Sequence, residues 1–410
     1  MRAKTLKIKK IHNDMIAYNF FRKTISTFCL LSAVYTGILA FNTNPIPQPG
    51  DGSPQDSIGQ VYQDFVKTFD KVFKVSPNHV VVLSNKYGKV TVQTGNSAQV
   101  VVKARITVVT NTQQEADRVF DRVNIAFLEG PNFVKAETNI ETQNKAGQIW
   151  TAMLDTKTCD FHIDYEVWMP AANKLDIANR HGNTLIGNLR NSVKIDQKYG
   201  DVRLEGATSA HINLAYGGGQ LCSLTSLTGA VSYGRLTSPN VKSVQLQTKN
   251  SQFKFDEIGV LNIRSSYDDY EINHVGNLNA DSRFGKIYVM NVDNIVAIGS
   301  STSFKILKLE NSADIDNTYG NIRIGSVKNG FSNINIKGTR TDCVLAIAPS
   351  ISYLLDLVGS NSQIQQPASV KTTVNRQEPY RREIMGVVGS NNNTKSVIRV
   401  RVSYGDFRIR

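Results

Sequence analysis

Residues 264–283 hold the densest group of side chains that could do chemistry: Asp268, Asp269 and Glu271, with Arg264 and Arg283 on either side. Clustered carboxylates beside a basic group are what a polysaccharide lyase or hydrolase uses to hold calcium or to move a proton at a sugar. The same five residues also read as a solvated turn of mixed charge. That second reading is preferred, because the acidic residues of this region are spread along the chain rather than gathered. The six histidines form no HxH or HExxH spacing, so a zinc hydrolase has no support. Cys159, Cys222 and Cys343 sit in the apolar contexts TCDFHI, QLCSL and DCVLAI with no CxxC pair. They read as small buried side chains, and a single bridge between two of them stays open. No catalytic residue, metal site or cofactor is expected.

Charge does not point to nucleic acid either. The formal net charge is +13, but Arg2, Lys4, Lys7, Lys9, Lys10, Arg22 and Lys23 face Asp14 alone in the first 40 residues. What remains is thinly spread over the rest of the chain, with no basic patch. The basic start runs into TISTFCLLSAVYTGILAF and then into the polar NTNPIPQPGDGSPQDS. That order is the order of a secretory leader, with cleavage after Ala40. The alternative is an uncleaved anchor, since 24–41 is at the short limit for spanning a bilayer; membrane contact is expected only through this segment. Cys29 lies inside the apolar run, so lipidation is not expected. The expected address is outside the cytoplasm: periplasm, outer surface or extracellular.

The elements that would position any site show a repeat. Tyr199-Gly200, Tyr216-Gly217 and Tyr233-Gly234 follow one another at steps of 17. Extending the step in both directions gives His181-Gly182, Asn250-Ser251, Tyr267-Asp268, Phe284-Gly285, Ser301-Thr302 and Tyr319-Gly320. Between these turns apolar residues alternate, as at Val202 and Leu204 or Ile212 and Leu214, which is the period of half-buried strands. Two short strands and two turns per repeat describe one rung of a parallel β-solenoid. The fold class is therefore all-β, a single-chain solenoid with rungs of 17–18 residues. The Gly is expected at positive φ in a tight turn. Tyr199, Tyr216, Tyr233, Tyr267, Phe284 and Tyr319 are expected to stack as an aromatic ladder, with a sugar-binding platform as the functional alternative. Two positions after each aromatic the chain reads Asp201, Gly218, Arg235, Gln252, Asp269, Lys286, Ser303, Asn321. No like charges fall on neighbouring rungs, as expected of side chains held in one column.

The flanks differ. Residues 1–40 read as the leader and 41–57 as a linker. A β-rich region, 58–170, caps the open first rung and carries one helix near 113–124. That helix has Thr112 as N-cap, Glu115 completing a capping box, and Val119, Phe120 and Val123 on one face. Repeats fill 171–364, 365–395 reads as irregular and polar, and 396–410 as a terminal strand pair.

The succession NKYGKVTV, EADRVFDRV, HIDYEVWMPAANKLDIANRHGN, Gly-centred repeats and a final SYGDFRIR resembles the exported bacterial "putative adhesin" family of unknown function, closest to its Bacteroidetes-type members, over roughly residues 70–410. The resemblance implies a β-solenoid outside the cytoplasm and supplies no catalytic residues. The chain departs from the pattern at Ser251, Asp268 and Thr302, where the turn Gly is replaced and irregular rungs are expected. The function expected is that of a non-enzymatic envelope protein, adhesin-like, binding a cell-surface protein or polysaccharide through the solenoid face. A β-helix lyase or hydrolase is the alternative, and a periplasmic scaffold or signalling-associated protein the second.

Overall fold

A computed structural model describes residues 62–141 and 160–410. The leader 1–40, the linker 41–57 and Cys159 lie outside the described residues.

Alternation in sequence becomes alternation between core and solvent. In the strand Gln252–Ser266, Phe253, Phe255, Ile258, Leu261 and Ile263 point inward, while Gln252, Lys254 and Arg264 point out. The chain then turns, and Asp269–Arg283 repeats the pattern one rung along, in parallel register with Phe253 against Tyr270 and Leu261 against Leu278. Stacking like on like produces continuous apolar columns. Leu236, Phe253, Tyr270, Ile287 and Phe304 form one of them, each no more than 2% exposed. The Phe253 and Tyr270 rings are 4.4 Å apart and nearly parallel. Each such residue contributes roughly 1.5–3 kcal/mol of burial, and it does so only because its neighbours above and below repeat it. The result is a β-solenoid of about ten turns with rungs of about 17 residues. The step of 18 from Ser301 to Tyr319 is absorbed by a register shift where Val292 pairs with Leu309 and Asn294 with Ser312. There Glu310 is held by Lys308 at 2.5 Å and Lys328 at 3.1 Å.

Stacking begins earlier in the chain than residue 171. Val80–Lys86 lies between Phe133–Ile140 and Lys174–Arg180, and Val90–Gly95 between Asp160–Pro170 and Thr184–Asn188. Antiparallel strands then close this end. Val123–Gly130 pairs with Phe133–Ile140, Gln99–Thr110 with Asp160–Pro170, and Gln63–Lys74 with Gln99–Thr110. The helix spans Gln113–Phe120 and buries Ala116, Val119 and Phe120, while Val123 opens the next strand. Its capping box is half made. Thr112 accepts from the Glu115 backbone N at 3.3 Å, but the Glu115 carboxylate accepts from Thr110 Oγ1.

The other end corrects one expectation. Residues 365–395 are not irregular: Lys371–Glu378 and Arg381–Val388 form an antiparallel hairpin that lies on Tyr353–Ser360. The first of these strands is exposed along its length, which is why its sequence is polar and shows no alternation. Residues 396–410 form two strands, Val397–Ser403 and Phe407–Ile409, that lie within the stack. Val397–Ser403 is inserted between Asn333–Leu345 and Tyr353–Ser360, parallel to both.

Candidate functional site

One edge of the solenoid is a line of turns, and its geometry differs from the sequence expectation. Positive φ belongs to the residue before the Gly, or before its replacement Asp268: 57° at Tyr199, 57° at Tyr216, 54° at Tyr233, 60° at Tyr267 and 55° at Phe284. The Gly itself is required for a different reason. A Cβ on Gly200 would land on the carbonyl oxygen of Gly182, one on Gly217 on that of Gly200, and one on Gly234 would lie 2.5 Å from that of Gly217. Adjacent turns approach so closely that only hydrogen fits between them. The aromatic occupies the left-handed region at a cost of about 1–2 kcal/mol, which ring stacking must offset.

Stacking is continuous over five rungs. Tyr87, His181, Tyr199, Tyr216 and Tyr233 follow at 5.1, 4.7, 5.0 and 4.9 Å between ring centres, with planes tilted by 16° or less. Asn250 then interrupts. Tyr267 and Phe284 resume at 4.8 Å, and Ser301 interrupts again. Beyond it, Arg340 takes a ladder position at φ 47°, its guanidinium carbon 5.2 Å from the Tyr319 ring centre and 5.6 Å from that of Tyr404. Tyr87 and Tyr404 carry the Tyr-Gly signal in sequence, and His181 carries its histidine equivalent. Arg340 carries none: it stands 21 residues after Tyr319, with no Gly following.

Beneath the turns runs a buried seam, two residues before each ladder position, that is polar at most rungs and apolar at Leu214 and Val231. Asn85 donates from Nδ2 to Ile163 O (2.8 Å), Asn179 to Gly88 O (3.1 Å) and Asn317 to Thr302 O (3.1 Å), and Gln197 donates from Nε2 to Gly182 O (2.6 Å). These bonds satisfy the turn carbonyls of Gly88, Gly182 and Thr302 and the strand carbonyl of Ile163. The turns that lack Gly solve the same problem from the other side. Ser251, Asp268, Thr302 and Thr341 are all buried, and the seam residues three positions before them are the small Thr248, Ser265, Gly299 and Gly338. A large seam side chain goes with a turn Gly, except at Gly285, whose seam residue is the small Ser282, and a small one with a turn side chain that folds inward. The rungs at Ser251 and Asp268 therefore keep unbroken parallel register, against the irregularity expected there, whereas the rung after Thr302 keeps register at the turn but carries the shift between Leu309 and Ser312.

This places the five chemical candidates. Asp268 is 1% exposed; its carboxylate accepts from Thr248 Oγ1, Ser251 N, Ser265 Oγ and Ser266 N, at 2.7–2.8 Å. No substrate reaches it. Burial, with the Asp268 charge adding to it, pushes the Tyr270 phenol well above its usual range. Asp269 and Glu271 face out on the strand after the turn, Asp269 paired in register with Lys286 and Glu271 3.5 Å from Lys254. Arg264 and Arg283 face out on the strands before the turn, with Arg264 in register with Asp281. The structure brings Asp269 and Glu271 onto one shallow groove of about 500 Å³, open to solvent and lined also by Arg235, Lys286 and Tyr288. It leaves Asp268 inside and both arginines outside the lining of this groove. Cys222 and Cys343 are free thiols, and burial pushes Cys343 up to about 12.

No family model matches the chain, and no curated protein matches it. The chain is similar to three solved bacterial proteins. One is a "putative cell adhesion protein" of Clostridium sporogenes, 12% identical over 84% of this chain and 99% of that one, with a TM-score of 0.16. Another is a "putative adhesin" of Parabacteroides distasonis, 10% identical over 68% and 93%, with a TM-score of 0.26. A "putative lipid binding protein" of the same organism is 10% identical over 84% and 96%, with a TM-score of 0.24. Likeness at this level carries no statement about a shared ligand.

Proposed function

We propose that the protein is a non-enzymatic, exported protein of the cell envelope that binds a surface polysaccharide or protein along the outside of its solenoid. The observation that carries this reading is the exposed line of aromatic rings on the turn edge. Tyr233, Tyr267, Phe284 and Tyr319 are 44–53% exposed although each belongs to a rigid turn. Rings held by the backbone lose little further freedom on binding, so their apolar and CH–π contacts come at low entropic cost. A two-carboxylate hydrolase, by contrast, needs its acids together at a defined separation. Here Asp268 is walled in, and Asp269 and Glu271 lie against lysines. Export is supported by the basic, apolar, polar order of the first residues.

The test is binding of the purified full chain to whole bacterial cells and to isolated envelope glycans, alongside the variant Tyr267→Ala/Phe284→Ala. Loss of two exposed stacked rings is expected to weaken binding by about tenfold or more. Equal binding by the variant, or sugar turnover that disappears in Asp269→Asn, would count against this function.

A further inference from the structure

The two interruptions of the ladder are alike. Asn250 and Ser301 hold φ of 50° and 53°, the same left-handed conformation as the aromatic rungs, so the backbone aims their side chains where a ring would go. Neither side chain is long enough to fill the place. Between Tyr233 and Tyr267, and again between Phe284 and Tyr319, two ring faces therefore look at each other across one missing member. Two rung steps separate them, roughly 9.6 Å at the usual strand spacing, which is the room taken by one ring. Exposure agrees with this. Tyr216, with a ring on both sides, is half-buried, whereas the four rings bordering the gaps are 44–53% exposed.

The molecule itself shows that such a place accepts a flat group. At the rung of Arg340 the guanidinium lies between Tyr319 and Tyr404 and donates from Nη1 to the Tyr319 hydroxyl at 2.6 Å. At Asn250 and Ser301 the chain supplies no such group.

We propose that each gap is a slot for one pyranose ring of an envelope polysaccharide, sandwiched between the two facing aromatic rings. A pyranose chair presents axial C–H bonds to aromatic faces above and below, and its equatorial hydroxyls need polar partners around the rim. The rims provide them. Lys249 and Gln252 flank Asn250 along the chain, with Arg235 donating to Gln252 at 3.0 Å; Ser300 and Ser303 flank Ser301, with Ser303 donating to Asn321 at 2.8 Å. An aromatic side chain of a protein partner would fit the space but would leave this polar rim unused. The slots are three rungs apart, roughly 14 Å, so one oligosaccharide with sufficient reach engages both.

This inference rests on the envelope-binding reading and can fail without it. Asn250→Tyr/Ser301→Tyr fills both slots with the residue the chain already uses at this φ. Calorimetric titration of the full chain with hexasaccharides of glucose, N-acetylglucosamine, mannose and xylose is compared with N-acetyltyrosinamide as an aromatic probe. At least one saccharide is expected to bind, and the filled variant to lose about tenfold or more in affinity while its Tm is unchanged or higher. If the filled variant does not fold, Tyr267→Leu/Phe284→Leu removes one ring face from each slot and is expected to show the same loss. Binding of no saccharide in the panel, affinity retained in the variant, or binding of the aromatic probe alone overturns the slots. If wild type and filled variant adhere equally to cells, the slots fail and the envelope reading stands. If wild type adheres to neither cells nor glycans, the envelope reading fails.

Discussion

Tyr199 and Gly200 divide the work of one turn between them, and their costs can be compared. Tyr199 at φ 57° gives up about 1–2 kcal/mol to the left-handed region. It gains two stacked neighbours, at 4.7 and 5.0 Å, worth about 0.5–1.5 kcal/mol each. The two nearly cancel, so Tyr199→Gly is expected to move stability by less than about 1 kcal/mol. Gly200 has no such compensation. The Cβ of Gly200→Ala would meet Gly182 O and, at 2.8 Å, Gln197 Nε2, the donor that satisfies that same carbonyl. Backbone cannot step aside as a side chain can, and a loss of at least about 1–3 kcal/mol is expected. Urea melts of the two variants check the contrast. A larger loss for Tyr199→Gly than for Gly200→Ala would show that the ring, not the close approach, governs the turn. The Tyr-Gly pair was visible in sequence, but which member holds the unusual φ was not. A Gly is required both by positive φ and by close approach, and only the neighbouring rung distinguishes them.

At the scale of the rung, legibility followed how local the signal was. Columns such as Phe253, Tyr270 and Ile287 repeat at 17 residues and show themselves in one dimension. The pairing of seam and turn was also present, as Gly299 with Thr302 or Thr248 with Ser251. It looked like decay of the motif until burial showed both side chains sharing one inward space. Of the candidate site, Asp269 and Glu271 were placed together on one outer face, whereas Asp268, one residue away, alternates to the core. The fate of the strand Val397–Ser403 was not legible at all. Val397–Ser403 pairs with Asn333–Leu345, more than sixty residues earlier, and with Tyr353–Ser360. Its own sequence states only that it is a strand. Inside the stack it buries Ile398, Val400 and Val402, and Ser396 Oγ donates to Phe331 O at 2.5 Å. Truncation after Lys395 is therefore expected to open a missing rung within the solenoid rather than shorten its end. It should expose the facing edges of both neighbours and release the hairpin with them. Limited proteolysis should then cut between 346 and 395 while sparing the rungs before Asn333. Unchanged protection of that segment would mean that Tyr353–Ser360 docks directly on Asn333–Leu345 without the terminal strand.

The described residues form a stack in which each rung touches only its neighbours, so its length should be adjustable in units of one rung and in no other unit. The register around Tyr216 makes the test specific. Gly218 pairs with Arg235, and Ser209–Ala215 pairs with Ser226–Ser232. Deleting 217–233 joins Tyr216 to Gly234, rebuilds a Tyr-Gly turn, and lets Arg235 follow it in the place Gly218 held. Every column remains in phase, and the ring stack loses one member while Tyr216 takes over the border of the first slot. Cooperative unfolding is expected to persist, with a modest loss from one rung and its interfaces. Deleting eight residues, 217–224, from the same place joins the strands out of phase and breaks the columns on both sides, which should prevent folding of the middle of the stack. Circular dichroism and thermal melts separate the two cases. A 17-residue deletion that unfolds as badly as the shorter one would contradict nearest-neighbour stacking. Binding to the glycan panel adds a second reading from the same two proteins. The slots at Asn250 and Ser301 lie beyond the deleted rung, so saccharide affinity should survive the 17-residue deletion within about twofold, or about 0.4 kcal/mol. A site spread evenly along the edge would instead weaken with every ring removed.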